Sequence, residues 1–225
     1  MCGRFTRKEN FQQLAQLLGL HNLPQLPPRY NIAPSQLIDC IRANPESLET
    51  EWTQLKWGLV PSWAQDPSIG QKMINARAET VAEKPSFRKA FKRQRCLILA
   101  DGFYEWKREG KMKQPYYIHF ADNRPFTFAG LWEHWEKDGG EPVESCAIIT
   151  TSANALMEPL HHRMPVILDL QDCPVWLDSA VHDGRQLTRL LQPFPVEAME
   201  AYPVSPFINN PRHEGPLCSQ PIDES

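Results

Sequence analysis

The sequence predicts an α+β fold: a curved, mostly antiparallel, barrel-like sheet with helices at its periphery. Three observations lead there. Short apolar or alternating segments separated by turn residues dominate the middle of the chain. The 21 prolines favour many short elements over long helices. Helical periodicity is confined to the start, to residues 84–95 and to a stretch near the end. With 225 residues, 41% of them hydrophobic, one sizeable core is expected. The organisation expected is a single domain over 1–210 with a C-terminal tail over 211–225.

Thr6 and Glu9 have the spacing of a helix capping box, and Phe11, Leu14, Leu17 and Leu18 follow at helical intervals. This places Cys2 in an extended segment ahead of the first helix. Residues 22–34 are too proline-rich for a helix and read as a wrapped loop. Strands are expected at Leu37–Arg42 and Gln54–Val60. Residues 84–95, KPSFRKAFKRQR, read as a basic helix with Phe87 and Phe91 on one face. CLILADGFYEWK then reads as strand, Asp101-Gly102 turn and strand. PYYIHF, FTFAGLW and SCAIITT follow as strands, LHHRMPVIL leads into another, WLDS and GRQLTRLL read as late helices, and VEAMEAYPVS closes on a strand.

A net charge of −3 gives no global attraction for nucleic acid, so a DNA surface would need local clustering. No apolar run reaches the roughly 20 residues of a membrane span. The opening MCGRFTRKEN has no apolar stretch after its charges, so a cytoplasmic location without membrane contact is expected. The six cysteines form no C-x-x-C pair and match no zinc spacing, which implies no metal. Cys40, Cys96 and Cys146 sit in apolar runs and read as buried small hydrophobes. Cys2 stands apart, outside any core segment.

Loss of Met1 would leave Cys2 with an α-amine and a thiol two bonds apart. An α-amine has an ordinary pKa of about 7.7–8.0 against roughly 10.4 for lysine, so it is partly nucleophilic near neutrality. Such a 1,2-aminothiol attacks an aldehyde through nitrogen, and the thiol then closes a five-membered thiazolidine. That closure is intramolecular and hence strongly favoured. Position alone leaves the ordinary reading open, in which Cys2 is simply the residue after the start.

The segments MCGRF, RYNIAPSQ (29–36), WGLVPSW (57–63), INARAET (74–80), ADGFYEWK (100–107), LHHRMPVIL (160–168) and YPVSPFIN (202–209) occur in one order. Together they resemble the SRAP family, the SOS-response-associated peptidases understood as abasic-site processing proteins. The resemblance spans nearly the whole chain and implies an SRAP-like fold. It implies that Cys2 is the catalytic cysteine that links covalently to the abasic sugar in single-stranded DNA. Asn75 then lines the pocket, Glu105 handles protons for ring opening and imine formation, and His161 stabilises the opened sugar. Arg4 and Arg77 match positions near the DNA phosphates. A lyase-like Schiff-base chemistry, self-removal of Met1, no cofactor and a monomeric chain, nucleoid-associated when on DNA, complete the implication.

Each residue also has an ordinary reading. Glu105, on a strand between Tyr104 and Trp106, would face solvent, and Asn75 would be a turn residue. His161 and His162 are adjacent, so on a strand only one faces a given side. His161 is chosen for its register with Arg163 and Pro165. Lys84, Arg88, Lys89, Lys92, Arg93 and Arg95 form a basic run whose plain reading is a solvated helix face. Trp63 and Phe87 are candidates for stacking on unpaired bases, a contribution of about 1–3 kcal/mol per base, or are core aromatics. The DNA-contact set is therefore Arg4, Trp63, Arg77, Phe87 and Arg88. Two other functions stay open: a thiol (auto)peptidase pairing Cys2 with His161, and a non-catalytic single-strand binding module.

Overall fold

A computed structural model of the chain describes residues 2–110, 112–137 and 139–222. The strands are β1 (Phe5–Arg7), β2 (Arg29–Ile32), β3 (Leu37–Ala43), β4 (Thr50–Trp57), β5 (Asn75–Arg77), β6 (Arg95–Ala100), β7 (Gly102–Glu109), β8 (Met112–Phe120), β9 (Phe126–Trp135), β10 (Val143–Ser152), β11 (Arg163–Pro165), β12 (Ile167–Leu168) and β13 (Met199–Pro203). The helices are short: α1 (Gln12–Leu17), α2 (Arg88–Arg93), α3 (Cys173–Leu177) and α4 (Gly184–Arg189). The expected α+β, mostly antiparallel and barrel-like architecture is what the chain adopts.

Strands β10, β4, β3, β6 and β9 form a closed ring, because β9 pairs with β10 as well as with β6. Four of its ladders are antiparallel, and the parallel β4–β10 pair, with Cys146 opposite Trp57, closes it. Period-2 alternation along these strands sorts their apolar residues into two faces. Ile38, Cys40, Cys96, Ile98, Phe128, Cys146 and Ile148 pack with Phe5, Phe103 and Ile118 of the second sheet, whose order is β13-β8-β7-β1-β2. Ile41, Leu97, Leu99, Ala129, Leu131, Ala147 and Ile149 meet Ala15, Phe91 and Trp176 of the helices. Burying each large apolar side chain stabilises the fold by about 1.5–3 kcal/mol relative to exposure. Gly130 allows a close approach inside the barrel: a Cβ there would lie 2.8 Å from the Cys96 sulfur.

Sequence expectations and structure part company at several points. Thr6 caps no helix; it lies within β1, fully buried, and α1 starts later, with Asn10 Oδ1 accepting from the Gln12 N–H at 2.9 Å. The Asp101-Gly102 step is not a hairpin. Strand β6 belongs to the barrel and β7 to the second sheet, so the chain changes sheets there. Gly102 is required because a Cβ would lie 2.1 Å from the Tyr117 hydroxyl. The proline-rich loop ends in a strand, β2, paired with β1. Arg95 leaves the basic run: it is buried and donates to the carbonyls of Phe91, Lys92, Trp176, Asp178 and Val181, joining the C-terminal ends of α2 and α3. Burial lowers its pKa to about 10. Residues 211–222 lie against the body, with Cys218 buried and Pro221 bridging to Val204. No helix among the described residues is long and apolar enough to cross a membrane.

Two buried ionic groups tie the sheets together. Arg7 Nε donates to Asp39 Oδ2 at 2.8 Å, coupling β1 to β3. At the sheet-switching corner the Asp101 carboxylate accepts from the Thr6 hydroxyl at 2.5 Å, from the Glu9 N–H at 2.7 Å and from the Lys8 N–H. A buried carboxylate with three donors is well satisfied, and its removal leaves the part-buried Lys8 and Glu9 N–H groups without this acceptor. Asp101→Ala is expected to lose about 3 kcal/mol of unfolding free energy, read from urea denaturation. A loss below about 1 kcal/mol would show that the corner is held by packing alone.

Candidate active site

The site assembles where β1, β5 and β7 approach one another. Strand β1 pairs with β7 through Phe5–Phe103 and Thr6–Gly102, and the Tyr104 N–H donates to Arg4 O at 3.0 Å. This brings the segment before β1, which holds Cys2, alongside Glu105. Strand β5 is held against β10, with Asn75 opposite Ile148, and the Trp57 indole N–H donates to Ile74 O at 2.9 Å. Asn75 is thereby fixed so that its Nδ2 donates to Cys2 O at 2.8 Å. Its Oδ1 is buried and, among the described residues, has no hydrogen-bond partner. Cys2, Asn75 and Glu105, remote in sequence, share one locus.

Burial sets the protonation of this locus. Cys2, expected outside the core, has no exposed surface and packs within the cluster that joins barrel and second sheet. That burial pushes its thiol well above the ordinary range; the charge of Glu105 pushes the same way, and a hydrogen bond from the Arg4 backbone opposes them. Glu105 is only 4% exposed, contrary to the solvent-facing reading of its position. Burial raises its pKa, so it holds its proton more tightly than an ordinary glutamate. The Met1 expectation lies outside the described residues.

A cleft of about 380 Å³ opens beside Glu105, lined also by Trp106, Arg108, Lys113, His161 and Asn209. Of the two adjacent histidines, His161 is the one that lines it, while His162 is exposed and stacks on His161 with ring centroids 4.4 Å apart. The Arg163 N–H donates to His161 Nδ1 at 2.9 Å. The same nitrogen lies 3.3 Å from Arg163 O, a longer approach that would require the opposite tautomer. The shorter bond assigns the neutral Nε2–H tautomer. Burial lowers the His161 pKa, which favours the neutral ring. Arg163 in turn is clamped by Glu79, at 2.5 and 3.0 Å, and donates to Thr150 O at 2.6 Å. The arrangement offers a proton-holding carboxyl and an imidazole N–H to one cleft, next to a thiol: a set suited to moving protons on a small electrophile.

The expected DNA contacts fall into two groups. Arg77 and Arg88 are exposed, and Trp63 is 55% exposed. Lys89 of α2 donates to Ser62 Oγ at 3.3 Å and lies 3.7 Å from Glu133, so Trp63 and the basic helix are neighbours. Phe87 is instead half-buried against the core, and Arg4 is turned inward, donating to Asn31 Oδ1 at 2.6 Å and Ile208 O at 3.0 Å. Trp63 is then the exposed aromatic of the pair, and Arg4 serves first to hold the segment next to Cys2.

Residues 1–211 match the family described as SOS response associated peptidase (SRAP). The chain belongs to the SRAP family. It is 46% identical over 220 residues to the abasic site processing protein YoqW of Bacillus subtilis (strain 168), covering 96% of this chain and 97% of that one. It is 38% identical over 207 residues to the abasic site processing protein HMCES of Gallus gallus, covering 81% of this chain and 61% of the relative. A crystal structure of a protein from Bacteroides thetaiotaomicron superposes with a TM-score of 0.85 at 29% identity, covering 98% of this chain and all of the other.

Sequence reasoning did not single out several parts of this SRAP site. Asn31 also donates to the carbonyls of Asn210 and His213, gathering the C-terminal segment under Arg4. Trp106 is fixed by an indole bond to Asn209 Oδ1 at 2.7 Å. Asn31 and Asn209 lie inside the RYNIAPSQ and YPVSPFIN segments, which is the signal that could have found them. The raised Glu105 pKa has a stability consequence with a definite sign. A carboxyl whose native pKa exceeds its unfolded value, about 4.3, contributes best when protonated, and that contribution is lost as pH rises through the native value. Glu105→Gln is therefore expected to be more stable than wild type at pH 8, with the gain disappearing at pH 4. Denaturation midpoints at the two pH values decide it; an equal gain at both would mean that ionisation is not the cause.

Proposed function

We propose that this SRAP protein processes abasic sites in single-stranded DNA by covalent capture through Cys2. The observation that carries the reading is the convergence of Cys2, Asn75 and a buried, proton-holding Glu105 beside a cleft lined by His161. The active unit is a monomeric domain over 1–210 with residues 211–222 packed against it, cytoplasmic and nucleoid-associated when engaged, with Trp63, Arg77 and Arg88 on its DNA-facing surface. Self-removal of Met1 frees the Cys2 amine. Named relatives that are abasic site processing proteins support the same substrate.

An abasic sugar rests as a closed hemiacetal. Ring opening breaks the C1′–O4′ bond, delivers a proton to O4′ and removes one from the C1′ hydroxyl, leaving an aldehyde. Glu105, in its protonated form, is the donor and as the resulting carboxylate takes up the C1′ hydroxyl proton, while the Nε2–H of His161 binds the freed oxygen. The Cys2 amine then adds to C1′ and one water leaves, forming an imine. The neutral thiol adds to the imine carbon and its proton passes to nitrogen, closing the thiazolidine. A thiol held protonated by burial suits this order, since nitrogen attacks first and sulfur second. The same burial argues against a general thiol peptidase, whose nucleophile must be thiolate.

Mixing the mature protein with an oligonucleotide bearing one abasic site is expected to give a single heat-stable adduct by intact mass. Cys2→Ala should abolish it, and undiminished adduct in that variant would remove Cys2 from the chemistry. At saturating DNA, Glu105→Gln and His161→Ala should each slow single-turnover capture by about 10²-fold with noncovalent affinity unchanged. His162→Ala should be near wild type; a defect confined to it would exchange the roles of the two imidazoles.

A further inference from the structure

The cleft beside Glu105 has a basic wall that the capture chemistry leaves unused. Arg108 and Lys113 line it and are direct partners in the β7–β8 ladder. Alternation puts both side chains on the same face as Trp106. Like charges placed directly opposite in an antiparallel pair repel and weaken the ladder. Most other arginines near the core are answered: Arg7 by Asp39, Arg42 by Glu51 and Glu144, Arg163 by Glu79, Arg95 by five carbonyls. Arg108 and Lys113 are both exposed, and among the described residues neither is paired with a carboxylate. In a chain of net charge −3, two unanswered cations facing one cleft form a local anion site.

We propose that Arg108 and Lys113 bind a backbone phosphate flanking the abasic sugar, so that the strand is gripped from the β7–β8 hairpin while the sugar meets Cys2. The inference rests on the abasic-site reading above and adds a phosphate grip to it. A phosphodiester between the two side chains removes their mutual repulsion, with the guanidinium supplying a forked donor and the ammonium a point charge. Trp106, held by Asn209, forms a rigid wall against which the strand lies. Arg77 and Trp63 do not line this cleft, so the hairpin grip is separate from theirs.

The test uses a single strand carrying a tetrahydrofuran abasic analogue, which has no aldehyde and binds without reaction. Arg108→Gln with Lys113→Gln should weaken binding several-fold and reduce the salt slope of log K by about 0.7 for each phosphate left unneutralised. Replacing one lesion-flanking phosphate by an uncharged methylphosphonate should weaken wild type but leave the double variant unaffected. The exposed α4 pair Arg185→Gln with Arg189→Gln, which lines no part of the cleft, controls for net charge. An unchanged slope, or an equal weakening in the α4 control, overturns the site. Adduct formation with a true abasic strand is measured in parallel. Wild-type adduct with an unchanged slope refutes the phosphate grip alone, and absent wild-type adduct with a reduced slope refutes covalent capture alone.

Discussion

The carboxylate of Asp101 is the interaction on which the site depends. It sits where the chain leaves the barrel for the second sheet, and it accepts from Thr6, Lys8 and Glu9 on the segment that carries the N-terminus. A chain end ordinarily frays, because little buried surface or hydrogen bonding opposes its entropy. Here β1 is only three residues long and would not hold a register by its ladder alone. Asp101 anchors it at one end, the Arg7–Asp39 ion pair anchors it to β3, and the Arg4 bonds to Asn31 and Ile208 hold the stretch next to Cys2. Cys2, next to this stretch, gains the positional precision usually reserved for the middle of a sheet.

That precision has an electrostatic counterpart. Folding places a thiol and a carboxyl in the same apolar surroundings, and burial raises the proton affinity of both. Both shifts have the same origin, since burial penalises an isolated charge. The imidazole is also driven toward neutrality, with its tautomer chosen by the Arg163 N–H and its support tied through Arg163 to Glu79. Burial therefore moves all three groups in the same sense, away from their charged forms. This suits a reaction whose steps move protons between oxygen, nitrogen and sulfur with no change in overall charge.

Much of the architecture was legible because it rests on local periodicity. The runs around Cys96, Phe128 and Ile148 are apolar on both faces, as strands covered on both sides must be. Errors came where a local pattern met a tertiary demand. Thr6 and Glu9 have capping-box spacing, yet Asp101, ninety-five residues from Thr6, competes for the Thr6 hydroxyl and draws the segment into a sheet. Asp101-Gly102 has hairpin chemistry, but Gly102 is there because the Tyr117 ring occupies the space of a side chain. Arg95 reads as one more cation of a basic helix, and only the converging carbonyl ends of α2 and α3 make it structural.

By itself the sequence determined the fold class, the family and the identities of Cys2, Asn75, Glu105 and His161 as candidates, because residue type, period and motif order are properties of the chain alone. Only the tertiary structure decided which of them meet, which imidazole lines the cleft and in which direction burial moves their proton affinities. Those depend on strand pairing between distant segments and on the water that packing excludes. A glutamate between two aromatics looks solvent-facing until β1 and the segment before it are laid along its edge, and a cysteine at position two looks exposed until the barrel closes over it.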